Sequence, residues 1–137
     1  MKKTSILDLV SRKLAPFMFL FGFYLFAYGH LSPGGGFQGG VVIASGIILL
    51  SVSRGVTTAE RLFPVSVLMA VEAVCFLLLI ALGVTGSMTG AGFFGNPVRE
   101  KIIAVPHVSM VLFLNVVIGL KVGAGVSLIC MRLLREE

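Results

Sequence analysis

The sequence predicts an all-α integral membrane bundle of four transmembrane helices with both ends in the cytoplasm, and three observations predict it. Of the 137 residues, 57% are hydrophobic and 12% are charged, which leaves too little polar surface to coat a water-soluble globule. The mean hydropathy of +1.05 agrees. The charges gather in short clusters between long apolar runs, whereas a soluble helical protein scatters them at helical spacing. Those clusters are basic on one set of connections, which sets the orientation. The whole chain, 1–137, is read as a single transmembrane domain.

The first span covers about residues 14–29, with Pro16 in its opening turn, where a missing N–H does no harm. Residues 1–13 form a polar leader, with a short interfacial helix as one option. The segment His30-Leu31-Ser32-Pro33-Gly34-Gly35-Gly36 ends the helix. Pro33 disfavours the helical conformation at Ser32, and the glycines remove the remaining propensity. The second span, about residues 37–53, is dense in small residues: Gly39, Gly40, Ala44, Ser45 and Gly46. A polar connector over residues 54–61 leads to a third span at about 63–84, with Pro64 at its start and Glu72 inside it. Residues 85–101 read as an irregular, glycine-rich loop ending in Arg99-Glu100-Lys101. The fourth span, about residues 102–131, contains Pro106, His107, Asn115 and Lys121 and runs into the basic tail of Arg132 and Arg135.

Lys2, Lys3, Arg12, Lys13, Arg54, Arg61, Arg132 and Arg135 fall on one side of this arrangement, against Arg99 and Lys101 on the other. Both termini are therefore expected inside a multi-pass protein of the cell membrane. The net charge of +5 is topological. The basic residues flank apolar segments without interleaved aromatics, so nucleic acid is not an expected partner. An N-terminal signal peptide is not expected, because the apolar run is long and Phe-rich and its leader contains Asp8. Cys75 and Cys130 lie far apart in apolar segments with no C-x-x-C and no nearby His, so they read as small hydrophobes. No metal site and no cofactor are expected on this chain.

Glu72 is the most informative residue. It stands roughly 12 Å into its helix at ~1.5 Å per residue, where a carboxylate costs several kcal/mol unless neutral or paired. Lys121 occupies a comparable depth on the following, antiparallel span, so a Glu72–Lys121 pair is sterically reasonable. The residues leave three roles open: part of a polar path for protons or sodium, a lock between two helices, or a contact to neighbouring subunits. His30 and His107 fall near the outer face, where they suit either proton exchange at a cavity mouth or simple capping at headgroup level. Asn115 reads as an interhelical hydrogen-bonding residue or a further ion-path group. The glycine run lacks the G-K-[ST] ending and βαβ setting of a phosphate loop, so it is expected to let helix backbones approach closely. No nucleophile stands with a base and an orienter, so an enzyme acting on lipid is not expected.

The run His30-Leu31-Ser32-Pro33-Gly34-Gly35-Gly36-Phe37-Gln38-Gly39-Gly40 resembles the H-x-x-P-G-G-G-F-x-G-G motif of the MnhB/MrpB-like subunit of Mrp-type multisubunit sodium/proton antiporters. The resemblance implies a non-catalytic membrane subunit of a cation (Na+)/proton antiporter module, with other membrane subunits as partners. His30, Pro33, Gly34, Gly35, Gly36, Phe37, Gly39 and Gly40 carry it. The same subunit family recurs in membrane-bound hydrogenases and sulfur-reducing complexes. Stand-alone versions tend to carry an acidic residue in an F-D-I-G-V-Y-like stretch of the last helix. Here the comparable stretch is Val117-Ile118-Gly119-Leu120-Lys121. That departure favours a respiratory complex, with a purely structural subunit of a stand-alone antiporter as the alternative.

Overall fold

The computed structural model describes residues 5–29, 31, 35–88, 90, 92–94 and 107–136. They form helices α1 (Ser5–Tyr28), α2 (Gly35–Arg54), α3 (Val56–Leu62), α4 (Val65–Met88) and α5 (His107–Glu136). Among the described residues, four helices are long and apolar enough to cross a membrane: α1, α2, α4 and α5. A helix satisfies its backbone groups internally, which is the condition for chain exposed to hydrocarbon.

Several expected boundaries shift. The leader is continuous with the first span, because α1 begins at Ser5 rather than near residue 14. Its first turns are held by an Arg12–Asp8 ion pair of 3.1 Å and by the Ser11 hydroxyl donating to the Asp8 carbonyl at 3.0 Å. Pro16 therefore sits inside the helix rather than in its opening turn. The polar connector contains the short helix α3. It is launched by Gly55, whose φ of 89° lets the chain turn from α2 while its carbonyl accepts from Thr58 and Ala59. Pro64 starts the next helix as expected, its carbonyl accepting from Val67 and Leu68. Helix α4 then runs on to Met88, so residues 85–88 are helical rather than loop. The fourth span is described from His107 onward; residues 101–106 lie outside the described part.

The spanning helices stand side by side in the order α1, α2, α5, α4, with α3 packed against α2 and α5 at one end. Helices α2 and α5 run parallel, because Gly36 faces Asn115 while Gly40, one turn on, faces Gly119 and Gly123. The approach is backbone to backbone. A Cβ at Gly40 would stand 2.5 Å from the Gly119 carbonyl oxygen, and one at Gly119 would stand 2.8 Å from that of Gly36. Lipid supplies no hydrophobic force between helices, so close packing and its dispersion energy hold them together, and small residues allow it. The Phe26 ring of α1 lies over both Gly39 of α2 and Gly119 of α5, where the three helices meet, and the Phe19 ring lies over Gly46.

Beyond the seam, Ile47, Leu68, Ala124, Leu128 and Met131 form a core that Ala59 of α3 closes, with Phe19 and Phe63 against it at 5.9 Å between ring centroids. The buried hydroxyls of Ser51 and Ser127 donate to their own helix, to the Ile47 and Gly123 carbonyls, so neither needs water. The start of α1 meets the end of α2 through Asp8 and Arg54 at 3.4 Å, and α3 meets the end of α5 through Glu60 and Arg135 at 3.6 Å. The first and last described turns thus share one end of the bundle.

Gly40→Val is expected to destabilise the bundle by about 1–3 kcal/mol through overpacking of the α2–α5 seam. Thermal unfolding in detergent checks this: the midpoint should fall clearly for Gly40→Val and stay put for Ala27→Val on the exposed side of α1. Equal midpoints would contradict the seam.

Candidate functional site

Glu72 projects from α4 seven residues after Val65, about 10 Å along the helix at ~1.5 Å per residue. Lys121 lies near the middle of α5. The antiparallel packing of the two helices brings Lys121 Nζ to 3.8 Å from Glu72 Oε1. That separation is an ion pair rather than a short charge-assisted hydrogen bond. Two neighbours complete the arrangement. Gly125, one turn from Lys121, leaves room for the carboxylate, since a Cβ there would stand 3.3 Å from Glu72 Oε1. Phe76, one turn from Glu72, places its ring centroid 5.4 Å from the Lys121 ammonium, within cation–π range.

The pair is not sealed inside the chain: 31% of the Lys121 side chain and 39% of the Glu72 side chain remain exposed. Two opposite charges held close but incompletely enclosed are not locked into a fully desolvated bridge. Among the described residues, no group of three or more His, Cys, Asp or Glu could hold a metal ion.

Of the remaining sequence candidates, Asn115 and the described motif glycines lie together, apart from the pair. Asn115 sits on the α2–α5 seam, its backbone against Gly36 and its side chain beside Gly29 and Gly35. It lies six residues before Lys121, about 9 Å along the helix. Its Nδ2 is buried without a hydrogen-bond partner among the described residues. Of the motif residues, Gly35, Gly36, Gly39 and Gly40 are buried at the start of α2, and Gly35 has a φ of +84° that favours glycine. Phe37 is 61% exposed and faces away from the seam. His30, Pro33 and Gly34 lie outside the described residues, and His107 opens α5. Cys75 is a buried free thiol and Cys130 a half-buried one.

The amino-acid sequence points to Glu72 and Lys121 as neighbours, but not to Phe76, nor to Gly125 as more than one of the small residues of the fourth span. The signal that could have found them was spacing, since each lies four residues from one charged partner on the same helix face. The Asp8–Arg54 and Glu60–Arg135 contacts were also missed, because they join residues distant in sequence.

The family described as "Domain related to MnhB subunit of Na+/H+ antiporter" matches residues 6–128, which include the ion pair and the glycine seam. The chain belongs to the MnhB family. Among curated relatives, the B subunit of a Na(+)/H(+) antiporter from Bacillus subtilis is 38% identical over 103 residues, 70% of this chain and 71% of the relative. A putative antiporter subunit, mnhB2, of Staphylococcus aureus is 34% identical over 71% of this chain and 65% of its own length. An uncharacterized protein of Methanocaldococcus jannaschii is 31% identical over 90% of this chain and half of its own length. This MnhB-family chain is thus a multi-pass membrane protein that spans half to seven-tenths of those relatives.

If Glu72 and Lys121 interact in the membrane, replacing both by Ala is expected to cost less stability than the sum of the single changes. A coupling of about 0.5 kcal/mol or more is expected from a double-mutant cycle on detergent unfolding. Strict additivity would show that the two charges stand apart.

Proposed function

We propose that this chain is a B-type, non-catalytic membrane subunit of a multisubunit Na+/H+ antiporter, and that Glu72 with Lys121 forms one station on its cation or proton path. Membership of the MnhB family supports the first half. The observation that carries the second is the half-exposed ion pair about 10 Å inside α4. A carboxylate there can take up a cation or proton while the ammonium stays close enough to compensate its charge when empty. The end of the bundle that holds Arg12, Lys13, Arg54, Arg61, Arg132 and Arg135 is read as cytoplasmic, by its excess of positive charge.

A second reading puts the same subunit in a respiratory ion-pumping complex of the hydrogenase or sulfur-reductase kind. It rests on one feature, Lys121 in a stretch where stand-alone members resembling this chain tend to be acidic. The names of the relatives speak of antiporters. Copurification from the native membrane separates the two: iron–sulfur or nickel–iron proteins alongside antiporter subunits support the respiratory setting, and antiporter subunits alone support the exchanger.

The path is tested by transport. In membrane vesicles containing fully assembled complexes, Glu72→Gln is expected to lower sodium-dependent proton exchange by about tenfold or more, since the ionisable station is gone while its shape remains. Unchanged exchange at normal subunit stoichiometry would reduce the pair to a structural contact.

A further inference from the structure

We infer that the Glu72–Lys121 pair opens sideways from α4, rather than towards the cleft at the end of the bundle that holds the terminal turns, and that a transmembrane helix of a different subunit covers it. The covering helix would bring a polar, hydrogen-bonding side chain to the depth of Glu72. The inference rests on the reading of the chain as one subunit of a larger membrane complex, but not on Glu72 being an ion-path residue.

Two observations carry it. The first concerns the inside route. At the end of the bundle that holds the terminal turns, a cleft of about 460 Å³ opens between α3, α4 and α5, with Glu60, Ser66 and Arg135 among its walls and Val65 and Met131 at its inner side. From Val65 to Glu72 along α4, and from Met131 to Lys121 along α5, the intervening buried core positions are Leu68 on α4 and Leu128 and Ala124 on α5. Leu68 and Leu128 are each 8% exposed and Met131 is 1% exposed, and all three belong to one packed cluster. A hydrated ion entering the cleft meets this apolar plug before it meets the pair.

The second concerns the outside. About a third of each charged side chain is exposed. On α4, Met69, Ala73, Phe76 and Ile80 follow one another at spacings of three and four residues and form the strip beside Glu72, on its side away from the core, with Ile80 two turns beyond it. All four are exposed. Facing hydrocarbon, a partly uncovered Lys–Glu pair is strongly unfavourable, and this depth is too great for Glu72 to escape by reaching the interface. Alkyl chains cannot offset that cost, because they neither donate nor accept hydrogen bonds. A protein helix with a hydroxyl or amide group at the same level can, and it leaves the net charge of the neutral pair unchanged. A different subunit is the occupant because the relatives are named by subunit letter, as parts of a larger antiporter.

Site-directed photocrosslinking in the intact complex, in its native membrane, tests this. Benzoylphenylalanine is placed singly at Met69 and Ile80, and as a control at Val74, which is 56% exposed on another side of α4. Met69 and Ile80 are expected to give one shared adduct, to a transmembrane peptide of a different subunit with a polar residue near the attachment point. Val74 is not expected to give that adduct. If a bulky probe at Met69 blocks assembly while the same probe at Val74 does not, the face is likewise an interface. Adducts to lipid alone, to a second copy of this chain, or to the same peptide equally from Val74 would overturn the inference. The readout is contact rather than transport. A normal adduct together with normal exchange by Glu72→Gln would keep the interface and discard the path.

Discussion

In a bilayer two apolar helices gain nothing by hiding from water, so the contact between α2 and α5 depends on how closely their backbones can come. Gly36 and Gly40 on one helix and Gly119 and Gly123 on the other remove the side chains that would hold them apart. The remaining packing follows from that contact. It fixes α5 in the middle of the row, with α2 on one flank and α4 on the other. It sets the rotation of α5, and so decides that Lys121 and Gly125 turn towards α4 rather than towards lipid. The aromatic rings of α1 then settle against this pair of helices, Phe26 over Gly39 and Gly119 and Phe19 over Gly46.

The polar residues obey the same constraint. Buried serines donate to carbonyls of their own helix. Asp8, Arg54, Glu60 and Arg135 make their ion pairs at one end of the bundle, among helix ends and α3. Among the described ion pairs, Glu72–Lys121 is the exception, because the two residues meet deep within their helices and remain partly uncovered. A charged pair retained at that cost, beside a glycine that makes room for it and an aromatic ring that steadies the ammonium, is where a transport role is best sought.

Much of this was legible in the amino-acid sequence for identifiable reasons. Four spans, their order, the proline-started α4 and the Glu72–Lys121 neighbourhood follow from apolar run length and from the rarity of charge within such runs. The extent of α1 did not, because Asp8, Arg12 and Lys13 look like a solvated leader until the Asp8–Arg12 and Asp8–Arg54 contacts are seen to hold the helix. Helix α3 was hidden in a connector whose polarity reads as loop. That the glycines of α2 meet those of α5, and in parallel, could not be read either. Small residues announce a close contact but not its partner, since any helix may present a complementary groove. Asn115, expected as an interhelical residue or a further ion-path group, lies at the α2–α5 seam beside the motif glycines, a neighbourhood that its place in the chain did not specify.

The site depends most directly on Glu72 and Lys121 meeting within the membrane. Solid-state NMR of the lipid-reconstituted complex, with 15N at lysine Nζ and 13C at glutamate Cδ, measures this through their dipolar coupling. The expected result is a coupling matching the 3.8 Å Nζ–Oε1 contact that disappears in Lys121→Arg. A spectrum without that coupling, or one unchanged by the substitution, would contradict the account.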